Sequence, residues 1–369
     1  MMNLSENPIF PRLRVRIALG TLQRNARRIR DIVGVPLLFT LKKDAYGHGA
    51  LPCARALEQE SLACYFAVYL VHEGIALRQS GITTPILAFA VPETTEEIAA
   101  AIQHGVTLSV THAGNVALVE QVARRMGQTA RVHLKVDTGM GRVGYPAEEQ
   151  AHTIAALQSC SAIDFEGVYS HLADSEENAE LTRRQEQRFE ALVASISPKP
   201  RLCHLANSGG ALRSDCRLDM VRIGIALYGG TPLYPTEPVM TAFSRLAQVR
   251  WYGQGESISY GATFRCERRL RAGIVPGGYG DGILRSLSNR GSVLIRGKEA
   301  PICGRVCMDQ VVVDLSAIPD AAEGDVALFF GQLDGIPYPV WKNAQAASTI
   351  SYELTTLVGR LAVAREWME

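Results

Sequence analysis

Apolar and polar positions along the chain fall into two rhythms, and the change between them divides the molecule. Residues 13–19 largely alternate apolar and basic side chains, the period of a half-buried strand. Over residues 20–33, Leu22, Ala26, Ile29 and Ile32 recur at intervals of three or four and predict a helix. Apolar runs at 37–43, 64–71, 85–91, 107–112, 130–137, 165–172, 201–207 and 220–228 then read as strands. Helical patterns at 95–103, 115–126, 148–157 and 179–196 separate most of them. Strands alternating with helices imply parallel βα units, and eight of them favour a closed barrel over an open sheet. No Gly-x-Gly-x-x-Gly opens the first unit, which also counts against a dinucleotide fold.

Beyond about residue 241 the texture changes to short alternating strands at 247–254, 271–275, 291–295, 300–306 and 310–315. Arg296-Gly297-Lys298-Glu299 reads as a hairpin connection, because glycine tolerates a positive φ at no steric cost. A helical pattern returns only at 343–361. The expected fold is therefore α/β: a (β/α)8 TIM-type barrel over residues 1–240 followed by a mainly-β carboxy-terminal domain over 241–369. Residues 1–19 are open to an alternative placement, packed with the β domain.

Composition narrows the function classes. A net charge of +1 leaves no electrostatic footprint for nucleic acid or an anionic membrane. No apolar run reaches membrane-spanning length, and residues 1–11 carry no signal-peptide core, so a cytoplasmic protein is expected. Eight cysteines in 369 residues do not suggest a disulfide scaffold, and Cys64, Cys203 and Cys303 lie in apolar runs as reduced thiols do. Cys303 and Cys307 have no second cluster to complete a zinc site, so they read as packing and no metal is expected.

Polar groups concentrate at the carboxyl ends of the barrel strands, where such folds keep their chemistry. The first strand leads into Leu41-Lys42-Lys43-Asp44-Ala45-Tyr46-Gly47-His48-Gly49. A lysine there is either part of a basic strand end or an amine able to form a Schiff base, if burial or nearby charge lowers its pKa. Lys135, Asp137 and Arg142 follow the fifth strand, Ser170-His171 the sixth, His204 and Ser208-Gly209-Gly210 the seventh, and Arg222 lies in the eighth. His171 and His204 are equally readable as satisfied barrel histidines. Ser208-Gly209-Gly210 is either a turn or, leading towards a helix, a set of backbone N–H groups for a phosphate. A lysine on the first strand and a phosphate cup at the last two would suit pyridoxal phosphate.

Six collinear blocks resemble the alanine racemase family. They are the Lys42 signature, Lys135-Val136-Asp137-Thr138-Gly139-Met140-Gly141-Arg142-Val143-Gly144, His204-Leu205-Ala206-Asn207-Ser208, Arg222-Ile223-Gly224-Ile225 through Tyr228-Gly229, Ser259-Tyr260-Gly261-Ala262-Thr263, and Gly304-Arg305-Val306-Cys307-Met308-Asp309-Gln310. The resemblance spans nearly the whole chain. It implies pyridoxal 5'-phosphate as cofactor, joined to Lys42, with Tyr46, Ser208, Gly224, Ile225 and Tyr352 holding its phosphate. Arg222 matches the arginine facing the pyridine nitrogen, and His204 the histidine behind it. Tyr260 matches a second base, supplied to the barrel mouth of a partner subunit and contacted by His171. Arg142 and the Met308 backbone match groups handling the substrate carboxylate. Asp309 and Tyr279 match residues of the substrate entrance, and Lys135 matches a lysine often carbamylated, or else paired with a carboxylate.

The implied activity is interconversion of L- and D-alanine by two bases, in a homodimer with shared active sites, supplying D-alanine for peptidoglycan. Racemisation needs a proton removed from one face of Cα and returned to the other, which bases on opposite faces provide. Lysine and tyrosine ordinarily have pKa values of about 10, so each needs help from its surroundings. Some positions depart from the family pattern. Lys43 stands where alanine is usual, Ala18 interrupts an Ile-Asp-Leu block, and Gly280 replaces alanine in Tyr-Ala-Asp-Gly. Strand alternation predicts that Lys43 points away from the site. The rival readings are a serine or broad-specificity racemase, a non-catalytic cofactor carrier, which lacks a second domain, and a decarboxylase of the same architecture.

Overall fold

The computed structural model describes residues 13–361 and 365–368; the expectation about residues 1–11 falls outside them. The described residues divide into two units, residues 26–45 with 50–227, and residues 13–25 with 46–49, 228–361 and 365–368.

In the first unit, all eight apolar runs contain a strand. They are Leu37–Thr40, Tyr65–Val68, Ile86–Ala88, Val106–Val110, Ala130–Asp137, Ile163–Tyr169, Leu202–His204 and Val221–Ile223. Every strand through the seventh pairs in parallel with the one before it, and the eighth pairs with the first. The seventh and eighth share no ladder; Asp219 N–H to Cys203 O at 3.1 Å and Arg222 N–H to Ala206 O at 3.0 Å bridge that gap. The result is a nearly closed parallel barrel. Strands flanked on both faces read as continuous apolar runs because both faces are dry. One layer of the interior packs Leu38, Ala67, Leu87 and Met220 around Tyr65 and Tyr169. Outside it run helices Ala50–Gln59, Val71–Gln79, Thr95–Gln103, Ala113–Met126, Ala151–Ser159 and Ala179–Ser195. In helix Leu19–Val33, Leu22, Ala26 and Ile29 are fully buried as the spacing predicts, whereas Ile32 is exposed.

In the second unit a sheet runs Lys298–Pro301, Ser292–Ile295, Val326–Leu333, Met240–Arg245, Arg14–Ala18 and Arg365–Met368, with Ile336–Tyr338 paired to Val326–Leu333. Arg14–Ala18 is antiparallel to Met240–Arg245 and parallel to Arg365–Met368, so both ends of the described chain enter this sheet. A second sheet pairs Gln248–Tyr252, Leu270–Pro276 and Gln310–Asp314 over a core that includes Tyr252, Ile258, Leu270 and Cys303. The hairpin at Arg296-Gly297 turns through φ values of 48° and 73°.

Two expectations are corrected here. The strand read at 300–306 ends at Pro301, with one further bridge from Ile302 to Val313, so Cys307 lies on a loop. The helix read at 343–361 is two helices, Val340–Ala346 and Ser351–Leu361, broken where Ser348 takes a φ of 56°.

Helix Ser351–Leu361 and the Tyr46–Gly49 segment press together backbone to backbone. A Cβ on Gly47, whose φ is 87°, would lie 2.4 Å from Thr355 O and 3.0 Å from Gly359 Cα. Gly34 also has a positive φ, 71°, but a Cβ there would meet no atom within 4 Å. Gly34→Ala is expected to cost about 1–2 kcal/mol, the left-handed penalty alone. Gly47→Ala meets the same penalty plus a clash that backbone cannot relieve, and is expected to cost clearly more. Denaturant unfolding of the two variants checks this; equal losses would contradict the packing argument.

Candidate active site

The first barrel strand stops at Thr40, not at residue 43, because the chain then turns the wrong way for a strand. Lys43, Asp44, Ala45 and Tyr46 have φ values of 54°, 57°, 54° and 51°, four consecutive left-handed residues and none of them glycine. Each such residue costs roughly 1–2 kcal/mol, so the turn needs external support. Glu73 supplies part of it: its carboxylate accepts Lys43 N–H at 2.8 Å, Tyr69 N–H at 2.8 Å and Leu70 N–H at 2.9 Å. Asp44 Oδ1 accepts Ala50 N–H at 2.7 Å. The strand-alternation argument for Lys43 therefore does not apply, although Lys43 is indeed exposed, with Nζ 5.5 Å from the Tyr69 ring centre. Lys42 is half-buried. Burial, then the Arg142 charge, push its amine below the ordinary lysine pKa; Lys43 adds to this and Glu73 opposes it.

Arg222, on the eighth strand, is buried at 4% exposure and bonded on every side. Its Nη1 donates to His204 Nδ1 at 2.9 Å and His204 O at 3.0 Å. Its Nη2 reaches Ser170 O and Leu205 O, each at 2.7 Å, and His171 Nδ1 at 3.2 Å. Burial lowers its pKa to about 10, so it remains a cation at neutral pH. Burial and then that positive charge hold both His171 and His204 well below the ordinary histidine value, hence neutral. Tyr169 lies flat against His204, ring centres 4.9 Å apart and 7° from parallel. Both histidines are thus hydrogen-bonded to Arg222 in the barrel.

Lys135 is buried at 6% exposure and donates to Val136 O. Asp137, whose charge acts on Lys135 from nearby, turns its oxygens to Gly139, Met140 and Gly141 N–H, each at 2.8 Å. Burial, then Arg222, lower the Lys135 amine to about 7. Arg142 is exposed on the loop that Asp137 organises.

Ser208, Gly224 and Ile225 come together, with Gly224 N–H donating to Ser208 Oγ at 3.0 Å. The glycines after Ser208 lead into a 3-10 turn, Gly210–Leu212. A Cβ on Gly209 would lie 2.6 Å from Ser175 Oγ and 2.7 Å from Glu176 Cγ, so those side chains would have to shift.

In the second unit, Tyr46 meets Tyr352 edge-on with ring centres 5.4 Å apart, and Tyr228 at 5.5 Å. Tyr279 N–H donates to Cys307 O at 3.0 Å, Gly280 N–H to Met308 O at 2.9 Å and Gly277 N–H to Asp309 O at 2.9 Å. These bonds bring Tyr279, Met308 and Asp309 to one place. Tyr260 follows Ser259, whose Oγ donates to Arg305 O at 2.6 Å, and is 69% exposed.

Three residues that the sequence reading passed over belong to the same barrel interior. His133, Glu166 and Tyr65 extend the contacts behind His204, and the available signal was a polar residue at every second position, Arg131, His133 and Lys135 on one strand and Asp164 and Glu166 on the next.

The alanine racemase N-terminal domain family matches residues 17–232, and the alanine racemase C-terminal domain family matches residues 239–366. An alanine racemase of Cutibacterium acnes is 38% identical over 365 residues, covering 95% of this chain and 96% of that relative. One from Desulforamulus reducens is 37% identical over 361 residues, covering 93% and 95%. The crystal structure of alanine racemase from D-cycloserine-producing Streptomyces lavendulae aligns with a TM-score of 0.89 at 34% identity, covering 99% of this chain and 98% of that one. Racemases are isomerases. With both halves matched in sequence and the whole chain matched in fold, this chain belongs to the alanine racemase family.

Proposed function

We propose that the chain interconverts L- and D-alanine with pyridoxal 5'-phosphate as cofactor and Lys42 and Tyr260 as the two bases. The observation that carries this reading is a lysine amine held below its ordinary pKa by burial and by Arg142, in a barrel whose interior buries a cationic Arg222. That donor set fits an anionic aldehyde cofactor: an amine to capture the carbonyl, a fixed guanidinium, and a hydroxyl beside a backbone N–H at Ser208 and Gly224.

When bound, the cofactor would supply a carbonyl for amine capture and a conjugated ring that accepts the electron pair left as the Cα proton departs. Lys42 would hold it; Ser208, Gly224 and Ile225 would bind its phosphate, with Tyr46 and Tyr352 assigned to the same group by family resemblance. Arg222 is the residue that would face its ring nitrogen. A guanidinium resists deprotonation, so it cannot readily hand over a proton there as a carboxylic acid would. Weak electron withdrawal disfavours side reactions and suits a dedicated racemase. Arg222→Glu is expected to yield transamination products from alanine, detected as pyruvate; none would count against this role.

Arg142 and the Met308 backbone receive the substrate carboxylate, while Tyr279 and Asp309 stand at the entrance. Lys42 takes the Cα proton on one face and Tyr260 returns one on the other, or the reverse. The 69% exposure of Tyr260 supports its delivery to a second copy of the chain, with His171 beside it. We assign the product to peptidoglycan synthesis in the cytoplasm; among the described residues, no helix is long and apolar enough to cross a membrane. Purified protein with added cofactor is expected to show a bound-cofactor absorbance that borohydride shifts, together with conversion of L- to D-alanine. Failure to bind the cofactor would sink the reading.

Lys135 we assign as a carbamylation site. A neutral amine, not an ammonium, attacks carbon dioxide, forming an N–C bond and releasing a proton. With its pKa lowered to about 7, Lys135 is largely neutral above that pH, and uptake falls as the pH drops through it. Native mass spectrometry in bicarbonate is expected to show one added carbon dioxide at about pH 8, lost towards about pH 6 as an amine of this pKa protonates, and absent in Lys135→Ala. No adduct at the higher pH would refute the assignment.

A further inference from the structure

We propose that Glu166, acting through His133 and His204, positions Arg222, so that a line of four side chains fixes the direction of every proton between a guanidinium and a carboxylate. Arg222 Nη1 lies 2.9 Å from His204 Nδ1, His204 Nε2 lies 3.0 Å from His133 Nδ1, and His133 Nε2 lies 3.3 Å from Glu166 Oε2. The four come from the eighth, seventh, fifth and sixth barrel strands, and all are buried.

The chemistry of the ends decides the middle. A guanidinium only donates, so His204 Nδ1 must accept and its single proton sits on Nε2. That proton points at His133 Nδ1, which must then accept, leaving the His133 proton on Nε2. An ionised carboxylate only accepts, so Glu166 ends the line. Tyr65 O–H also donates to Glu166 Oε2 at 2.7 Å, which leaves Thr107 Oγ1, 2.8 Å from Tyr65 Oη, as donor to the phenol. Burial opposes the Glu166 charge, but hydrogen bonds from His133 and Tyr65 hold the carboxyl at about 2. Arg201, 3.4 Å from Glu166 Oε1 and 2.8 Å from Asp164, faces it from the outer side.

The need for such a line is physical. A buried cation is unfavourable unless paired and bonded. Among the described residues no carboxylate is bonded to Arg222; its partners are imidazoles and carbonyls. Glu166 is the carboxylate reached through the hydrogen bonds, two imidazoles away, and in a low-dielectric interior such lines reinforce one another. Gly167 leaves the His133 ring its place, since a Cβ there would lie 2.7 Å from His133 Cε1. Glu166 and His133 are thus positioning residues. Their effect on the reaction rests on the assignment of Arg222 to the cofactor ring; the proton arrangement does not.

Nitrogen-15 NMR of the full-length protein, labelled in histidine and without added cofactor, reads the arrangement directly. His133 and His204, identified by His133→Gln and His204→Gln, are expected to be neutral with the proton on Nε2. A proton on Nδ1 of either ring, or a charged ring at neutral pH, would overturn the proposal without touching the reading of function. Glu166→Gln keeps the shape and removes the charge. It is expected to move the His204 signals and to lower kcat by on the order of 10-fold with little change in KM, as loss of an outer partner of a functional imidazole does. Unchanged His204 signals and parental kcat would equally overturn it.

Discussion

Lys42→Ala is expected to abolish borohydride-stable attachment of the cofactor and to lower racemisation by about 10³-fold or more, the scale of removing a positioned proton-transfer group that also anchors the chemistry. The reason is the local backbone as much as the amine. Four left-handed residues after Lys42, pinned by Glu73 and Asp44, hold the lysine at the end of its strand. Burial and Arg142 lower its pKa, which enlarges the neutral fraction able to attack a carbonyl. Lys43→Ala, changing the exposed neighbour, is the control and is expected to keep activity near parental. If Lys42→Ala retained activity and Lys43→Ala lost it, the assignment of the two lysines would be reversed.

Tyr260→Phe is expected to lower racemisation by about 10²–10⁴-fold, the range for a general acid–base. Its signature is more informative than its size. The enantiomers have equal free energy, so kcat/KM must fall equally in both directions. Removing one base leaves the other able to exchange the Cα proton on its own face. In deuterated water, one enantiomer of alanine should therefore acquire deuterium without inverting, and the other should not. Equal exchange into both enantiomers, or an undiminished rate, would mean that Tyr260 is not the second base.

Much of the barrel is legible in the chain because parallel strands covered on both faces make uninterrupted apolar runs. All eight are found, most of them read too long: the run at 64–71 holds only Tyr65–Val68, and that at 220–228 passes into a 3-10 turn after Ile223. Apolar character continues past the last ladder bond, so hydropathy does not mark strand ends. The left-handed turn at Lys43–Tyr46 is invisible to propensity, since four non-glycine residues adopt it only under tertiary support from Glu73. The break at Ser348 hides for a similar reason, inside a pattern whose flanks are both helical. Family resemblance identifies Arg222 and His204. What lies behind them is non-local: His133 and Glu166 are each one of several polar residues on their strands, and only the closed sheet brings their side chains into line. The pairing of Arg14–Ala18 with Met240–Arg245 and Arg365–Met368 is likewise set by contacts across most of the chain's length.

The central claim is that one working site needs Lys42 from one copy of the chain and Tyr260 from another. Mixing Lys42→Ala with Tyr260→Phe, each nearly inactive alone, tests it by L- to D-alanine conversion after subunit exchange. Half the dimers would be mixed, and each mixed dimer would carry one intact site of two. The account predicts recovery of about a quarter of parental activity, from the symmetry of a two-fold dimer. A mixture as inactive as either variant, under conditions where exchange is shown to occur, would contradict it.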